Sequence, residues 1–392
     1  HTAYFKANYP AEYMAAVMTH NMGDIKKVSQ FIEECQHINI PVDAPNINTG
    51  RGQFVAINGR IQYGLEAIKG VGSNAVQNLV EVREEHGPFK SFTEMVARVD
   101  LRTCNKKTIE SLIQAGAFDS LNPNRFQLME SLEDVANYAV RKQQEDAMNQ
   151  ISLFVESKGG GALTEPKLKE VKPWTSMERL KREREFIGFF LSGHPLNKYL
   201  EDTQLFCSHH LGSESISMVA DRATVTVAGI ITVVRHTRDK KGRPIAFATI
   251  EDQNGAAELL IFSEPYDKHM NLLQQDNLIV VDGIVDNQSG QPKIIVRNID
   301  RLENLREKNQ GRFRVKLRLD LEEVVQDDIM KLAQIFSESR GQTPVSLDVR
   351  SDGIKPLRLN VRKYVVDAND QLMKNLREII GRENVKLEKM TN

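Results

Sequence analysis

The sequence has 392 residues, of which 40% are hydrophobic and 27% are charged, and its formal net charge is -1. This is the composition of an ordinary soluble chain with room for about two to four domains, and the near-neutral charge excludes a uniformly basic coat for nucleic acid. The chain has no run of about 18 apolar residues and no amino-terminal signal, so we expect a cytoplasmic protein without a membrane span.

The three cysteines, Cys35, Cys104 and Cys207, lie far apart in the chain. Their spacing is not that of a zinc site or of a disulfide framework, so the sequence predicts buried thiols and no metal site. The first residue is His1 rather than Met, and residues 2–18 have the pattern of a helix in mid-course. We therefore interpret the chain as a fragment of a longer protein.

Helices and a β-hairpin are predicted at the amino-terminal end. Residues 11–20 and 24–37 carry apolar side chains at helical spacing. Alternation over residues 53–57, the dipeptide Asn58-Gly59 and the short run 61–63 predict a tight hairpin. These residue types point to no particular chemistry.

The next segment, residues 67–79, has the spacing of a helix-hairpin-helix motif. Two glycines flank one aliphatic residue, which allows a tight turn with positive φ, and a small residue three positions later lets two helices approach. The amide groups at the start of the second helix then suit a DNA phosphate. A plain glycine turn is the alternative. We predict sequence-independent DNA contact through Lys69, Gly70, Val71, Gly72 and Ser73.

A second, degenerate hairpin follows, with helices predicted over residues 91–99 and 106–115. Its turn lacks the paired glycines of the first hairpin. Arg102, Lys106 and Lys107 are therefore predicted as secondary phosphate contacts. A purely packing role for this hairpin stays open.

An isolated apolar peptide, Gln150-Ile151-Ser152-Leu153-Phe154, stands between a charged run and a run of glycines. Its flanks offer no core of their own, so residues 141–175 are interpreted as a solvated tether. Burial of Leu153 and Phe154 would contribute about 1.5–3 kcal/mol each. Gln-x-x-Leu-Phe resembles the peptide by which bacterial DNA polymerases and repair proteins bind the sliding clamp. A helix end packed on its own domain is the alternative.

The region 223–303 is predicted to be a barrel. Three strands, a helix and two strands are the element order of an OB-fold, and such barrels commonly hold single-stranded nucleic acid on one face and in the first loop. The predicted strands are 223–234, 245–251, 256–262, 278–286 and 293–302, with the helix at 265–274.

The first loop of the predicted barrel is rich in cations. Asp239 is the one acid among them, and a solvated hairpin tip is the alternative to a binding loop. Phe247 and Phe262 can stack on bases or fill the barrel interior, and the sequence leaves both options open. Contacts to DNA phosphates are predicted for Arg235, Arg238, Lys240, Lys241 and Arg243.

The last part of the chain alternates between strands and helices. The predicted elements are strand 314–319, helix 324–337, strands 344–349 and 357–361, helix 370–380 and strand 385–387. This β-α-β-β-α-β order predicts a ferredoxin-like domain. No pattern in it indicates chemistry, so an interaction module is expected. The predicted fold class is thus multidomain α+β, with tandem helix-hairpin-helix motifs, an OB-fold barrel and a ferredoxin-like carboxy-terminal domain.

Several phrases occur in one order along the chain, at residues 6–13, 68–72, 113–119, 150–154 and 188–196, followed by the barrel. In that order they resemble the alpha subunit of bacterial DNA polymerase III. The resemblance extends over nearly the whole chain and is weakest after residue 303.

The resemblance implies a domain order and a set of partners. It places the end of the fingers domain at 1–62, the DNA- and clamp-binding domain with its tether at 63–222, the OB-fold at 223–303 and the carboxy-terminal domain at 313–392. Implied partners are double- and single-stranded DNA, the sliding clamp and, in some relatives, the tau subunit of the clamp loader.

The resemblance also places the catalytic centre outside this chain. The palm aspartates that bind Mg²⁺ for nucleotidyl transfer would precede His1. We therefore assign no catalytic residue, metal ligand or cofactor to this chain, and we expect it to lack polymerase activity alone. Two other function classes stay open: a non-enzymatic DNA-binding scaffold, and an accessory protein of a nuclease or helicase.

Overall fold

The computed structural model describes residues 2–151, 163–212, 216, 218–287, 293–351 and 354–390. The chain divides into two units, His1–His194 and Pro195–Asn392, which we call the amino-terminal unit and the carboxy-terminal unit. Within the described ranges, no helix combines the length and the apolar character that crossing a membrane requires.

The amino-terminal unit opens with helices α1 (Thr2–Asn8), α2 (Pro10–His20) and α3 (Ile25–His37) and strands β1 (Val42–Asp43), β2 (Val55–Ile57) and β3 (Arg60–Gln62). The predicted hairpin is formed by β2 and β3. Asn58 and Gly59 between them both have positive φ, as a type I′ turn requires. Strand β1 pairs in parallel with β3; it was not predicted, because two residues are too few to show alternation.

Five further helices follow: α4 (Ser73–His86), α5 (Phe92–Arg98), α6 (Lys106–Gln114), α7 (Arg125–Ile151) and α8 (Ser176–Ile187). The first arm of the first hairpin is a single 3₁₀ turn, Leu65–Ala67. All five helices contribute apolar side chains to one core, and α8 does so through its last turn, at Ile187. In this core Phe92 and Phe118 meet edge to face, with ring centroids 5.2 Å apart. The helical region with two hairpins is thus present.

Helix α7 continues beyond the predicted start of the tether. It ends at Ile151, so residues 141–151 are helical and not a solvated linker. Gln143 explains the difference, because its Nε2 donates to the carbonyls of Ala97 at 3.0 Å and Val99 at 2.8 Å. These bonds tie this stretch of α7 to the end of α5.

After residue 162 the chain runs back along α7 without forming a helix or strand before α8. The amide of Lys169 donates to Ser131 Oγ at 2.9 Å. Trp174 stacks on Phe126 with ring centroids 5.6 Å apart. The tether prediction can therefore apply only to residues 152–162, which lie outside the described residues.

A buried ion network joins α7 to α8. The Arg125 side chain is 2% exposed and its Nη2 lies 2.6 Å from Asp119 and 3.2 Å from Glu183. The other Glu183 oxygen accepts the amide protons of Leu191 at 2.8 Å and Ser192 at 2.7 Å. Every buried charge in the network has partners, which its burial requires.

The carboxy-terminal unit begins with helix α9 (Leu200–Phe206) and a barrel built from β4 (Thr224–Arg238), β5 (Pro244–Glu251), β6 (Ala256–Ile261), helix α10 (Ser263–His269), β7 (Leu278–Asp286) and β8 (Lys293–Arg301). The strands close in the order β4-β5-β6-β8-β7, with β6 and β8 parallel. The predicted OB-fold barrel is confirmed. Its interior is aliphatic.

The chain ends in helix α11 (Leu305–Lys308), strand β9 (Phe313–Asp320), helix α12 (Gln326–Glu338), strands β10 (Arg340–Ser351) and β11 (Ile354–Val366), helix α13 (Asp370–Ile380) and strand β12 (Val385–Lys389). The predicted order of elements is therefore present. The sheet order is β11-β10-β9-β12.

The ferredoxin-like prediction is wrong in strand order. A ferredoxin-like domain has a split β-α-β unit, in which another strand lies between the two parallel ones. Here β9 and β10 pair directly, with Val315 opposite Val345, and β11 pairs along the other edge of β10. Because β10 and β11 are long and consecutive, they form an antiparallel hairpin that keeps β11 at the edge of the sheet.

Candidate nucleic-acid interface

The turn of the first hairpin is shaped by Gly70 and held by Val71. Gly70 has a φ of +86°, and a Cβ atom there would lie 2.8 Å from Ser111 Oγ on α6. A larger residue is therefore strained by its backbone and obstructed by α6. Val71 is 7% exposed and belongs to the core, as does Ile68. Packing against α6 and the core thus fixes the path of the turn.

Helix α4 starts at this turn without a side-chain cap. Gly72 is its N-cap residue, and no side chain hydrogen-bonds the first amides. The amide of Ala75 donates to the Gly72 carbonyl at 3.1 Å, whereas those of Ser73 and Asn74 stand at positions that have no intrahelical acceptor. No acidic residue lies in the first turn, and a Cβ atom at Gly72 would meet nothing within 4 Å. Ser73 and Asn74 are exposed. The helix start therefore presents open N–H donors and the positive end of the dipole to solvent, which suits an anion.

Lys69 adds a cation beside these donors. Its backbone amide donates to the carbonyl of Phe186 at 2.9 Å, which anchors the turn on α8. Its side chain is exposed and forms no ion pair with any residue that the structure describes. Four of the five predicted residues of the first hairpin are exposed, and the fifth, Val71, is buried beneath them.

The second hairpin differs at the same point. Asn105 caps α6, because its side-chain oxygen accepts the amide proton of Thr108 at 3.1 Å. Arg102 is paired with Asp100 at 3.2 Å, and hydrogen bonds from Arg102 lower the pKa of the Asp100 carboxyl. Lys106 contacts Glu133 at 3.4 Å.

Among the predicted cations of the second hairpin, only Lys107 has no ion pair within the described ranges. Asn105 was missed from the sequence. The signal was present, since Asn followed by the first apolar-periodic residues of a helix is a common N-cap pattern.

The predicted clamp peptide falls mostly outside the described residues. Gln150 and Ile151 form the last two residues of α7. Ser152, Leu153 and Phe154 are not described. Their predicted role stays a prediction.

The first loop of the barrel is a tight turn between β4 and β5. Asp239 accepts the amide protons of Lys241 at 2.8 Å and Arg243 at 2.9 Å, and the Arg243 guanidinium at 2.8 Å. Backbone and side-chain hydrogen bonds from Arg243 lower the pKa of Asp239 despite the opposing effect of desolvation. Arg238 donates to the carbonyl of Gly242 at 2.8 Å. Two of the five cations are thus used within the turn.

Three cations of the barrel loop stay available. Arg235, Lys240 and Lys241 are exposed, and none forms an ion pair with a described residue. Arg235 stands on β4 directly opposite Phe247 on β5. The barrel therefore carries cations and an aromatic ring side by side.

Neither candidate aromatic residue lies in the barrel interior. The side chains of the interior cluster are aliphatic and include neither Phe247 nor Phe262. Phe247 is half-buried on the outer face, opposite Leu260 as well as Arg235. Phe262 is 43% exposed at the start of α10. Both rings are therefore outside the barrel interior, where a base could reach them.

The described residues contain no group of three His, Cys, Asp or Glu side chains that could hold a metal ion. Cys35 and Cys104 are buried and Cys207 is half-buried, and all three thiols are free. Burial raises the pKa of Cys35 to about 11 and of Cys104 to about 12. Protonated thiols are poor metal ligands and nucleophiles.

Two family models match the chain. A helix-hairpin-helix motif matches residues 39–128, and an OB-fold nucleic acid binding domain matches residues 225–302. The first range contains both hairpins, and the second contains the barrel except for Thr224.

Curated relatives match nearly the whole chain. The DNA polymerase III subunit alpha of Pseudomonas aeruginosa is 35% identical over 98% of this chain, and that of Escherichia coli (strain K12) is 33% identical over 99%. The chain covers 34% and 33% of these two relatives, so it spans about one third of their length.

The solved structures that resemble this chain include OB-fold domains. The second OB-fold domain of replication protein A from Methanococcus maripaludis is 18% identical, covers 22% of this chain and 92% of its own, and has a TM-score of 0.19. At that TM-score the likeness carries no argument about function.

Proposed function

We propose a function for this chain from one premise: it is homologous over nearly its whole length to about one third of the alpha subunit of bacterial DNA polymerase III. On that premise the chain is the carboxy-terminal, DNA-binding portion of a cytoplasmic replicative polymerase. Template-directed DNA synthesis is then the activity of the parent chain.

The observation that carries DNA binding is the uncapped start of α4 beside Lys69. Open amides and a helix dipole bind phosphates without reading bases. The hairpin is therefore proposed to hold duplex DNA by its backbone, through Lys69, Gly70, Gly72 and Ser73, with Val71 holding the turn and Lys107 as a secondary contact.

The barrel is proposed to hold the single strand. Arg235, Lys240 and Lys241 are its available cations, and Phe247 supplies a ring for stacking. Arg238 and Arg243 are proposed to act mainly by holding the loop, since each already has a partner within it.

One experiment tests both assignments. Duplex and single-stranded oligonucleotides are titrated over a range of salt with wild type, Gly72→Val and the pair Lys240→Gln and Lys241→Gln. We expect Gly72→Val to weaken duplex binding more than single-strand binding, and the loop pair to do the reverse. The loop pair should lower the single-strand salt slope by about 1.4, because each lost phosphate contact removes about 0.7.

Two duplexes of unrelated sequence serve as the control for phosphate binding and should bind equally. If both variants weakened both ligands to the same extent, the assignment of separate surfaces would be contradicted. If wild type bound neither ligand, DNA binding by this chain would be ruled out.

The catalytic assignment has its own test. We propose that this chain alone does not extend a primer, since no described cluster of carboxylates could hold the metal ions of nucleotidyl transfer. Primer extension by the purified chain is compared with a mock preparation. Incorporation above the mock level would place a catalytic centre within these residues.

We also propose that Gln150 to Phe154 binds the sliding clamp, with Leu153 and Phe154 as apolar anchors and Gln150 fixing the register. Two anchors at about 1.5–3 kcal/mol each, less the cost of ordering the peptide, suggest an affinity nearer micromolar than nanomolar. Calorimetry with the clamp should show weaker binding for the Leu153→Ala, Phe154→Ala pair. Val155→Ala, a truncation just outside the peptide, is the control and should bind as wild type.

A contact of the carboxy-terminal domain with the clamp-loader tau subunit is proposed on a weaker basis. The family resemblance suggests it, and large apolar side chains are exposed at the N-cap of α12, along α12 and on β11, which is typical of a protein interface. They are Val325, Ile329, Met330, Leu357 and Leu359. Ile329→Ser with Met330→Ser should weaken tau binding, whereas Met218→Ser, at an exposed residue outside this domain, should not.

A further inference from the structure

The sheet formed by β9 to β12 has one apolar face and one polar face. Val315, Leu317 and Leu319 of β9 belong to the core that includes residues of α12 and α13. Because side chains alternate along a strand, the residues between them lie on the opposite face. The cross-strand register extends this assignment to β10, β11 and β12.

The polar face is strongly cationic. Its paired strand residues include three carboxylates, those of Asp320, Asp348 and Glu388, against six cations. Glu383, just before β12, adds a fourth carboxylate at the edge of the same face, which leaves an excess of two positive charges in a chain whose net charge is -1. The cations define what we call the C-terminal basic face: Arg314, Lys316, Arg318, Arg350, Arg358 and Lys386.

Three of these cations are neutralised by two of the acids. Lys316 Nζ lies 3.0 Å from Asp348 and 2.9 Å from Glu388. Arg314 is 2.8 Å from Glu388, and Arg358 is 3.1 Å from Asp348. Burial opposes ionisation of Asp348 and Glu388, yet hydrogen bonds from these cations lower the pKa of both carboxyls. This network forms the floor of the face.

The other three cations form a diagonal row. Arg318, Arg350 and Lys386 are exposed, and none has an ion pair among the described residues. All three line a groove of about 280 Å³. Lys386 on β12 is opposite Lys316 on β9, and Arg318 lies two residues beyond Lys316 along β9. Arg350 on β10 is opposite Asp320, which lies two residues beyond Arg318 on β9.

Each step of this row crosses one strand and two residues, so neighbouring cations are about 7–8 Å apart. A row of unneutralised charges at regular spacing is complementary to a linear polyanion.

We propose that the C-terminal basic face binds the phosphate backbone of single-stranded DNA through Arg318, Arg350 and Lys386. A protein partner would need an apolar centre, and no exposed large apolar side chain of the described residues lies on the polar side of β9, β10 or β12. The absence of aromatic rings on those strands' polar side also excludes base stacking there, so binding should be independent of sequence. The choice of a single strand rests on the proposed function of the barrel in the same unit.

The test uses the whole 392-residue chain and a fluorescent oligodeoxythymidylate, with binding followed by anisotropy over a range of salt. The test variant is Arg318→Gln with Arg350→Gln. It should lower the slope of log affinity against log salt by about 1.4, since each single-strand phosphate contact contributes about 0.7. Both residues are exposed, so thermal unfolding should be unchanged.

The matched control is Lys331→Gln with Lys374→Gln, which removes the same charge from the helices on the apolar side. These lysines are 54% and 68% exposed, and their removal should leave the slope within about 0.3 of wild type. Equal slopes for the test and control variants would overturn the proposal. A slope loss seen only with duplex DNA would overturn the choice of a single strand.

Two further arms keep the outcomes separate. The barrel variant Lys240→Gln with Lys241→Gln, run in parallel, reports on the proposed function. If the barrel variant lowers the salt slope and the basic-face variant does not, only the present inference is rejected. Labelled polyglutamate is the probe for an acidic polypeptide. If the test variant lost polyglutamate binding and kept its DNA slope, the face would be a protein site and the proposal would fail.

Discussion

The two hairpins of the amino-terminal unit differ in the residue at which the helix after the turn begins. In the first, the helix after the turn begins at Gly72, which offers no side chain to its amides. In the second, Asn105 occupies that place and bonds the amide of Thr108. A helix start that satisfies its own donors has fewer left for a phosphate. We therefore expect the N-cap residue, rather than the presence of a turn, to decide which of the two hairpins binds a phosphate.

The largest expected effect concerns the two glycines of the first hairpin. Gly70→Val should lower the free energy of unfolding by at least about 2 kcal/mol, because a branched residue at φ +86° is strained and meets Ser111. Gly72→Val should cost much less, since that position has ordinary backbone angles and open space. Urea unfolding of both variants measures these free energies. Similar losses would show that the two glycines contribute equally to stability, contrary to this prediction.

The second effect tests the cap of the second hairpin. Asn105→Ala should cost about 1 kcal/mol of stability, because the Thr108 amide loses its acceptor. Duplex affinity, measured at a temperature where the variant is fully folded, should not change. A marked fall in that affinity would show that the second hairpin is also a principal DNA contact.

The third effect compares cations of the two hairpins. Lys69→Gln should lower the salt slope of duplex binding by about 0.9, the contribution of one phosphate contact. Arg102→Gln should leave the slope unchanged, because that guanidinium is paired with Asp100. The same salt titration serves both. A larger change for Arg102 than for Lys69 would reverse the assignment of the hairpins.

The smallest effect is also the most selective. Gly72→Asn gives the first hairpin the cap of the second, so it should raise the free energy of unfolding by a few tenths of a kcal/mol. Duplex binding should weaken at the same time, since the added side chain occupies the donors. A gain in both stability and affinity would contradict the proposed role of the open amides.

Much of this architecture could be predicted from the sequence because it depends on local patterns of residues. The glycines at 70 and 72, the alternating strands of the barrel and the β-α-β-β-α-β order all depend on residues close together in the chain. The position of Phe247 was not predictable, since period-two alternation does not say which face of a strand is inside. Pairing of β9 with β10 was equally hidden, because strand order is set by tertiary contacts.

The charged loop shows the same limit at the level of the site. Five cations between residues 235 and 243 were visible in the sequence. Only the folded turn shows that Arg243 forms an ion pair with Asp239 and that Arg238 donates a hydrogen bond to the Gly242 carbonyl. A count of charges therefore gives more available cations than the folded loop has. At the second hairpin, the sequence analysis likewise missed that Asn105 caps α6.

The contacts between α7 and the segment after residue 162 should hold the amino-terminal unit together even if the chain is cut between them. Trp174 on Phe126, Lys169 on Ser131 and the buried Arg125–Glu183 pair all join one side of residues 152–162 to the other. A protease site engineered between these residues would therefore yield two polypeptides that remain associated under native conditions. The chain could then be produced as two co-expressed polypeptides, and the predicted clamp peptide could be exchanged or labelled at the new end without disturbing the hairpins.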